Sequence, residues 1–159
     1  MKLSHLDDQG RARMVDVGGK PESERTAVAE GLIRMSRAAF DLVAAQGVAK
    51  GDVLAVAEVA GVMGAKRTGD LIPLCHPLGL DLAQVEARLD ETVPGVRVRA
   101  TAKVTARTGV EMEALTAVAV ALLTVYDMVK AVDREMVIGE VRLVSKTKRP
   151  SHNSAEVGP

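Results

Sequence analysis

Residues 96–107 alternate without a break. Val96, Val98, Ala100, Ala102, Val104 and Ala106 fall on one parity, and Arg97, Arg99, Thr101, Lys103, Thr105 and Arg107 on the other. Successive side chains of an extended strand point to opposite faces, so this pattern gives one apolar and one charged face only as β structure. One dry face and one wet face characterise an antiparallel sheet covered on a single side. The rest of the chain must supply a partner strand and the covering helices.

The partner lies upstream. Val85, Ala87 and Leu89 alternate up to a turn at Asp90-Glu91-Thr92-Val93-Pro94-Gly95. Leu80 and Leu82 sit on the opposite parity, and that switch near residues 83–84 predicts a bulge. Downstream, Leu115, Val118, Leu122, Val125, Val129 and Val132 form one stripe, predicting a helix over 113–133. A last strand is expected over 136–145. Near the start, residues 7–10 read as a turn, followed by a short strand at Met14, Val15 and Val17. Pro21 then opens an expected helix carrying Val28, Leu32, Met35, Ala39 and Leu42, stopped by Gly47. A second helix over 52–65 is apolar nearly all round, which predicts burial on several sides or at a subunit interface.

The resulting order, β-α-α-β-β-α-β, predicts an α+β fold. Its mostly antiparallel sheet would carry helices packed on one face, on the ferredoxin-like plan. Residues 1–147 are expected to form one domain and 148–159 a mobile tail.

Composition removes several functions. Lys plus Arg equals Asp plus Glu, 21 against 21, so the chain lacks the basic footprint of a nucleic-acid binder. One Phe, one Tyr and no Trp leave few rings on which bases could stack. No uninterrupted apolar run reaches the roughly 20 residues of a membrane span, and the first residues lack a signal peptide's apolar stretch. The single cysteine, Cys75, allows no intrachain disulfide. A cytoplasmic enzyme acting on a small anion is the expectation, with neither nucleic acid nor membrane as partner.

Three clusters could carry its chemistry. The irregular segment 66–78 holds Lys66, Arg67, Asp70, Cys75 and His76, the last two between Pro73 and Pro77. One Cys and one His fall short of a zinc ligand set. Neighbours on an extended chain point apart, so a Cys75–His76 nucleophile pair is disfavoured. Glu111, Met112 and Glu113 lie between a strand and a helix, where the acids either complement the helix dipole or accept hydrogen bonds from a heterocycle. Asp127 and Lys130 share a helix face with Leu123 and Val120, which suggests a cleft or a partner subunit. A lysine there can lose solvation and serve as acid or base. Glu113 and Asp127 stand about 21 Å apart on a continuous helix. Either Glu113 precedes the helix, the substrate is long, or two subunits build the site. Lys20, Arg25, Lys50, Lys146 and Lys148 are further cations, each by itself an ordinary surface charge.

The strings AKRTGDLIPLCHPL (65–78), TGVEMEALTA (108–117), YDMVKA (126–131) and MVDV (14–17) resemble those of MoaC-type proteins. These are the cyclic pyranopterin monophosphate synthases of molybdenum cofactor biosynthesis, and the likeness covers about residues 14–147. The resemblance implies a substrate, 3′,8-cyclo-7,8-dihydroguanosine triphosphate. It implies rearrangement of the purine to a pterin, with pyrophosphate released and a cyclic phosphate left. It implies no redox cofactor or resident metal, with magnesium on the substrate triphosphate as a companion. It also implies a homo-hexamer, a trimer of dimers with sites at subunit interfaces. By position, Asp127, Lys130 and Lys50 resemble the family's catalytic residues. Cys75, His76, Glu111, Met112 and Glu113 resemble its ring pocket, and Lys146, Lys66, Arg25 and Lys20 its phosphate or pocket contacts. Gly18-Gly19 stands before Lys20 where the family more usually has Ser-Ala.

Two other readings remain. One is an inert binding or assembly module, and the other a hydrolase using Cys75, which Cys75→Ser would abolish.

Overall fold

The strand that alternates so regularly, Gly95–Ala106, lies inside a four-stranded antiparallel sheet and has the two faces its pattern predicts. The computed structural model describes residues 9–151. In chain order the elements are β1 (Ser23–Arg34), α1 (Arg37–Ala44), α2 (Val53–Lys66), α3 (Thr68–Leu71), β2 (Leu82–Asp90), β3 (Gly95–Ala106), α4 (Glu111–Val129) and β4 (Val137–Pro150). The strands run in the order β2-β3-β1-β4, each antiparallel to its neighbours. With α2 and α4 packed on one face, this is the expected α+β, ferredoxin-like arrangement.

The core forms where α4 lies on the sheet. Val96, Val98, Ala100, Ala102 and Val104 face inward from β3, beneath Val118, Leu122, Val125 and Val129 of α4. Burying each valine or leucine contributes about 1.5–3 kcal/mol before entropy is counted. Glycine lets the layers approach. A Cβ at Gly31 on β1 would stand 2.8 Å from Val118 Cγ1 and Leu122 Cδ1. A Cβ at Gly64 on α2 would stand 2.8 Å from Val120 Cγ2 of α4. By length and hydropathy α4 could cross a membrane, but half of its most apolar window is buried in the protein.

Several expectations need correction. Residues 23–34 form β1, not the first part of a helix opened by Pro21. The positions 28, 32, 35, 39 and 42 do have helical spacing. However, β1 is a central strand, and Ala27, Ala29, Leu32 and Ile33 are all buried, so its residues do not alternate simply. A near-continuous apolar run of this kind does not separate strand from helix by period alone. The helix begins only at the Ser36 cap, whose Oγ accepts from the Ala39 N–H. It ends in a pair of reversed bonds, Gly47 N–H to Leu42 O and Gln46 N–H to Val43 O. Gln46, not Gly47, takes the left-handed position, at φ 54°.

Met14, Val15 and Val17 are not a strand. Of the expected turn at 7–10, positions 7 and 8 lie outside the described residues. No bulge interrupts β2 at 83–84, since its register with β3 is continuous from Leu82 to Asp90. Ala83, Val85 and Ala87 face inward, while Leu82 opens the strand on the outer face. The irregularities fall instead between β1 and β4, at Val28/Ala29 and Glu30/Leu32. α4 spans Glu111–Val129, so Val132 is past its end and exposed. α2 buries one face, leaving Val56, Val59 and Met63 exposed in the single chain. β4 continues through Pro150, taking in Lys148 and Arg149, and residues 152–159 of the expected tail lie outside the described residues.

Candidate active site

The polar groups singled out by the sequence collect at the two ends of α4. At its C-terminal end, Asp127 is held between two ammonium groups. Lys130 Nζ lies 2.7 Å from Oδ1 and Lys50 Nζ 2.8 Å from Oδ2. The first pair is the i,i+3 geometry of one helix face. The second depends on antiparallel packing of α2 and α4, because Lys50 stands just before the Asp52 cap that starts α2. Hydrogen bonds from Lys130 and then Lys50, with their charges, hold the Asp127 carboxyl down to about 2. All three side chains are about half exposed, at 48% for Lys50, 58% for Asp127 and 52% for Lys130. The expected cleft around them is therefore not formed by one chain. Leu123, one turn before Asp127, is also exposed.

At the other end of α4 lies a cavity of about 410 Å³. Cys75, His76, Glu111, Met112, Glu113 and Lys20 all line it. His76 Nε2 is 2.8 Å from the carbonyl oxygen of Val15, so the segment before β1 closes one wall. Cys75 and His76 both reach the cavity because the chain turns there and is not evenly extended. The Cys75 N–H donates to Ile72 O in a turn containing Pro73.

The two acids of this cavity differ. Glu113 is buried, and burial pushes its carboxyl up, with the neighbouring Glu111 charge adding to the effect. Burial also acts to raise Glu111, but the Lys146 hydrogen bond and the charges of Lys146 and Arg25 outweigh it, leaving Glu111 below the usual range. Lys146 Nζ is 3.0 Å from Glu111 Oε1. Gly109 leaves room for the Glu111 carboxylate in this position, since a Cβ at 109 would displace it. Burial, then the Glu113 charge, pushes the Cys75 thiol up. A cysteine nucleophile needs the opposite shift.

Arg25, Lys146 and Lys148 line an adjoining cavity of about 270 Å³ that shares Gly109 and Glu111 with the first. Cations thus stand beside the acids and the imidazole at this end. Lys66 is brought to neither cluster, and nor are Arg67 and Asp70; Lys66 is exposed in the last turn of α2, where a cation complements the helix dipole. Among the described residues no three His, Cys, Asp or Glu side chains converge as metal ligands do. Sequence reasoning missed the cavity-lining roles of Val15, Val17, Thr108 and Gly109. The strings MVDV and TGVEM contain them, but neither string shows that its backbone forms a wall.

The profile of the MoaC family matches residues 14–149. The chain belongs to the MoaC family. Proteins named cyclic pyranopterin monophosphate synthase from Brucella canis and Brucella suis are each 56% identical to it over 158 residues, covering 99% of this chain and 96% of theirs. The protein of that name from Brucella abortus is 55% identical over the same span. The MoaC resemblance of the four motifs is thereby borne out, with the place it gives the chain among enzymes of molybdenum cofactor biosynthesis. The structure also narrows one question about MoaC geometry. Glu113 and Asp127 both lie within a continuous α4, fourteen positions apart. At 1.5 Å per residue their separation along the axis is about 21 Å, so Glu113 does not precede the helix.

Proposed function

We propose that this chain is a cyclic pyranopterin monophosphate synthase. Its substrate is (8S)-3′,8-cyclo-7,8-dihydroguanosine 5′-triphosphate, and its products are cyclic pyranopterin monophosphate and pyrophosphate. The observation carrying the reading is the Asp127 carboxylate clamped between Lys50 and Lys130 in a MoaC family member.

Opening a purine and closing a pterin requires protons to be taken up and given back at several nitrogens and oxygens. A lysine pair sharing one carboxylate can supply both directions. Asp127 fixes where the two ammonium groups sit. The cavity at the other end suits the guanine-derived rings, because Glu111 and Glu113 accept hydrogen bonds and His76 and Cys75 lie on the facing wall.

In the phosphoryl step, a ribose-derived hydroxyl gives its proton to a general base and its oxygen forms a new bond to the α-phosphorus. The bond to the bridging oxygen breaks, and pyrophosphate leaves with that electron pair. Lys20, Arg25 and Lys146 are the cations placed to stabilise the charge. Magnesium enters this scheme as a companion of the substrate triphosphate, and no redox cofactor is required.

Two clusters about 21 Å apart cannot touch one compact substrate from the same copy. We therefore assign the complete site to two copies of the chain within a hexamer built as a trimer of dimers, working in the cytoplasm. The half-exposed lysines and the exposed Leu123 beside Asp127 support a face that a second copy covers.

The test is direct. Purified chain given the cyclic dihydro-GTP should release one pyrophosphate per cyclic pterin monophosphate formed. Failure to form that product removes the proposal. The Cys75 hydrolase reading is disfavoured by the raised thiol, and under the synthase reading Cys75→Ser weakens turnover without erasing it.

A further inference from the structure

We infer that Arg107 is a positioning residue that ties the two cationic arms of the site together. The inference rests on the phosphate-binding reading of Lys20 and Arg25. Arg107 is exposed and stands just beyond the end of β3. Its Nη1 donates to the Gly18 carbonyl oxygen at 3.0 Å. Its own carbonyl oxygen accepts from Arg25 Nη2 at 3.3 Å, while Arg25 Nε donates to Ala106 O at 3.4 Å. One residue therefore anchors the segment carrying Lys20 with its side chain and orients the Arg25 guanidinium with its backbone.

The segment carrying Lys20 needs this anchor. Residues 13–22 form no strand or helix, yet Val15, Val17 and Lys20 line the 410 Å³ cavity. Three further contacts hold the turn that aims Lys20. Asp16 Oδ1 accepts from the Gly18 N–H at 2.8 Å, the Lys20 N–H donates to Val17 O at 3.0 Å, and His76 Nε2 lies against Val15 O. Consecutive glycines at 18 and 19 give this turn little stiffness of its own. Its shape then depends on other bonds, and beside the local Gly18–Asp16 bond the Arg107 bond ties the glycine pair to a distant part of the chain.

Gly19 offers an independent handle. A Cβ there would meet nothing within 4 Å, and its φ does not lie in the left-handed region. Alanine at 19 should therefore stiffen the turn without a clash, by narrowing the conformations open to the loosened segment. If Arg107 acts by holding the turn, Gly19→Ala should recover part of what Arg107→Ala loses. A residue that only supplied positive charge to substrate would show no such recovery.

Three readouts on Arg107→Ala, Arg107→Lys and Arg107→Ala/Gly19→Ala decide the matter. Hydrogen exchange at the Gly18 and Lys20 amides should quicken in Arg107→Ala while α4 amides stay protected. Affinity for inorganic tripolyphosphate should fall about tenfold, equivalent to ~1.4 kcal/mol. KM for the cyclic dihydro-GTP should rise by about the same factor with kcat within about twofold, the signature of lost binding common to ground and transition states. The lysine variant and the double variant should each recover part of all three. Unchanged exchange and unchanged tripolyphosphate affinity in Arg107→Ala overturn the inference. A fall in kcat at constant KM also overturns it. If the unmodified chain fails to turn over the nucleotide, the synthase proposal falls, while exchange and tripolyphosphate binding still judge Arg107.

Discussion

The Lys50 ammonium donates to two oxygens of one residue, the carboxylate Oδ2 and the main-chain carbonyl of Asp127, each at 2.8 Å. That carbonyl belongs to the last turn of α4, where helix carbonyls have no partner of their own. Lys50 thus caps one helix from the threshold of another and also helps set the Asp127 carboxylate. Structural and chemical duties meet in this one contact.

Variants should separate the two duties. Lys50→Ala, Lys130→Ala and Asp127→Ala are each expected to lower kcat by about 100-fold or more, the usual scale of a lost acid–base group. Circular dichroism should show the fold retained in all three. Lys50→Arg, which keeps a cation able to reach the carbonyl, should preserve thermal stability better than Lys50→Ala without restoring the rate.

The Asp127 carboxyl should titrate near pH 2 by carbon-detected NMR. The shift is downward, so any stabilisation from the two ion pairs is present above the ordinary aspartate range and disappears as pH falls through about 2. Lys130→Ala should raise this value most and Lys50→Ala somewhat less, following the order of their effects on Asp127. An unshifted value in the intact chain would mean that the clamp is absent in solution.

Glu113 has the opposite sign. Its carboxyl is raised by burial, so the native chain gains from protonating it, and that gain is lost as pH rises through the folded value. Glu113→Gln should therefore melt higher than the parent at neutral pH. The difference should shrink as pH falls through the raised folded value and be gone once pH is below the ordinary glutamate range near ~4.3. Activity should fall in the same variant, because the amide cannot replace a carboxylate that accepts from a heterocycle.

Gly31→Ala should cost about 1–3 kcal/mol in urea denaturation, since the added methyl meets Val118 and Leu122 in a closed core. A neutral result would mean that α4 can lift from β1 without penalty.

The parts of the fold legible in the sequence were those set by neighbours. β3 and the inner parity of β2 follow from alternation, and the α4 stripe from helical spacing. β1 was hidden because a central strand with Ala27, Ala29, Leu32 and Ile33 all buried loses its simple alternation. The site divided in the same way. Asp127 and Lys130 could be paired from their spacing of three. Lys50 joins them across 77 positions, and His76 reaches Val15 across 61, and only the packing of the elements brings these together. The motif likeness supplied those long-range members where periodicity could not.

The central claim is that the two ends of α4 act together only when two copies of the chain meet. Co-expression of Asp127→Ala and His76→Ala chains bearing different tags, followed by isolation of oligomers carrying both, tests this most directly. Each parent alone is expected to lose at least about 100-fold in rate, but a mixed dimer places one unaltered pair of half-sites face to face. Mixed oligomers should recover about a quarter or more of the unmodified rate. Mixed oligomers as inactive as both parents, beside an active doubly tagged control, would contradict the account.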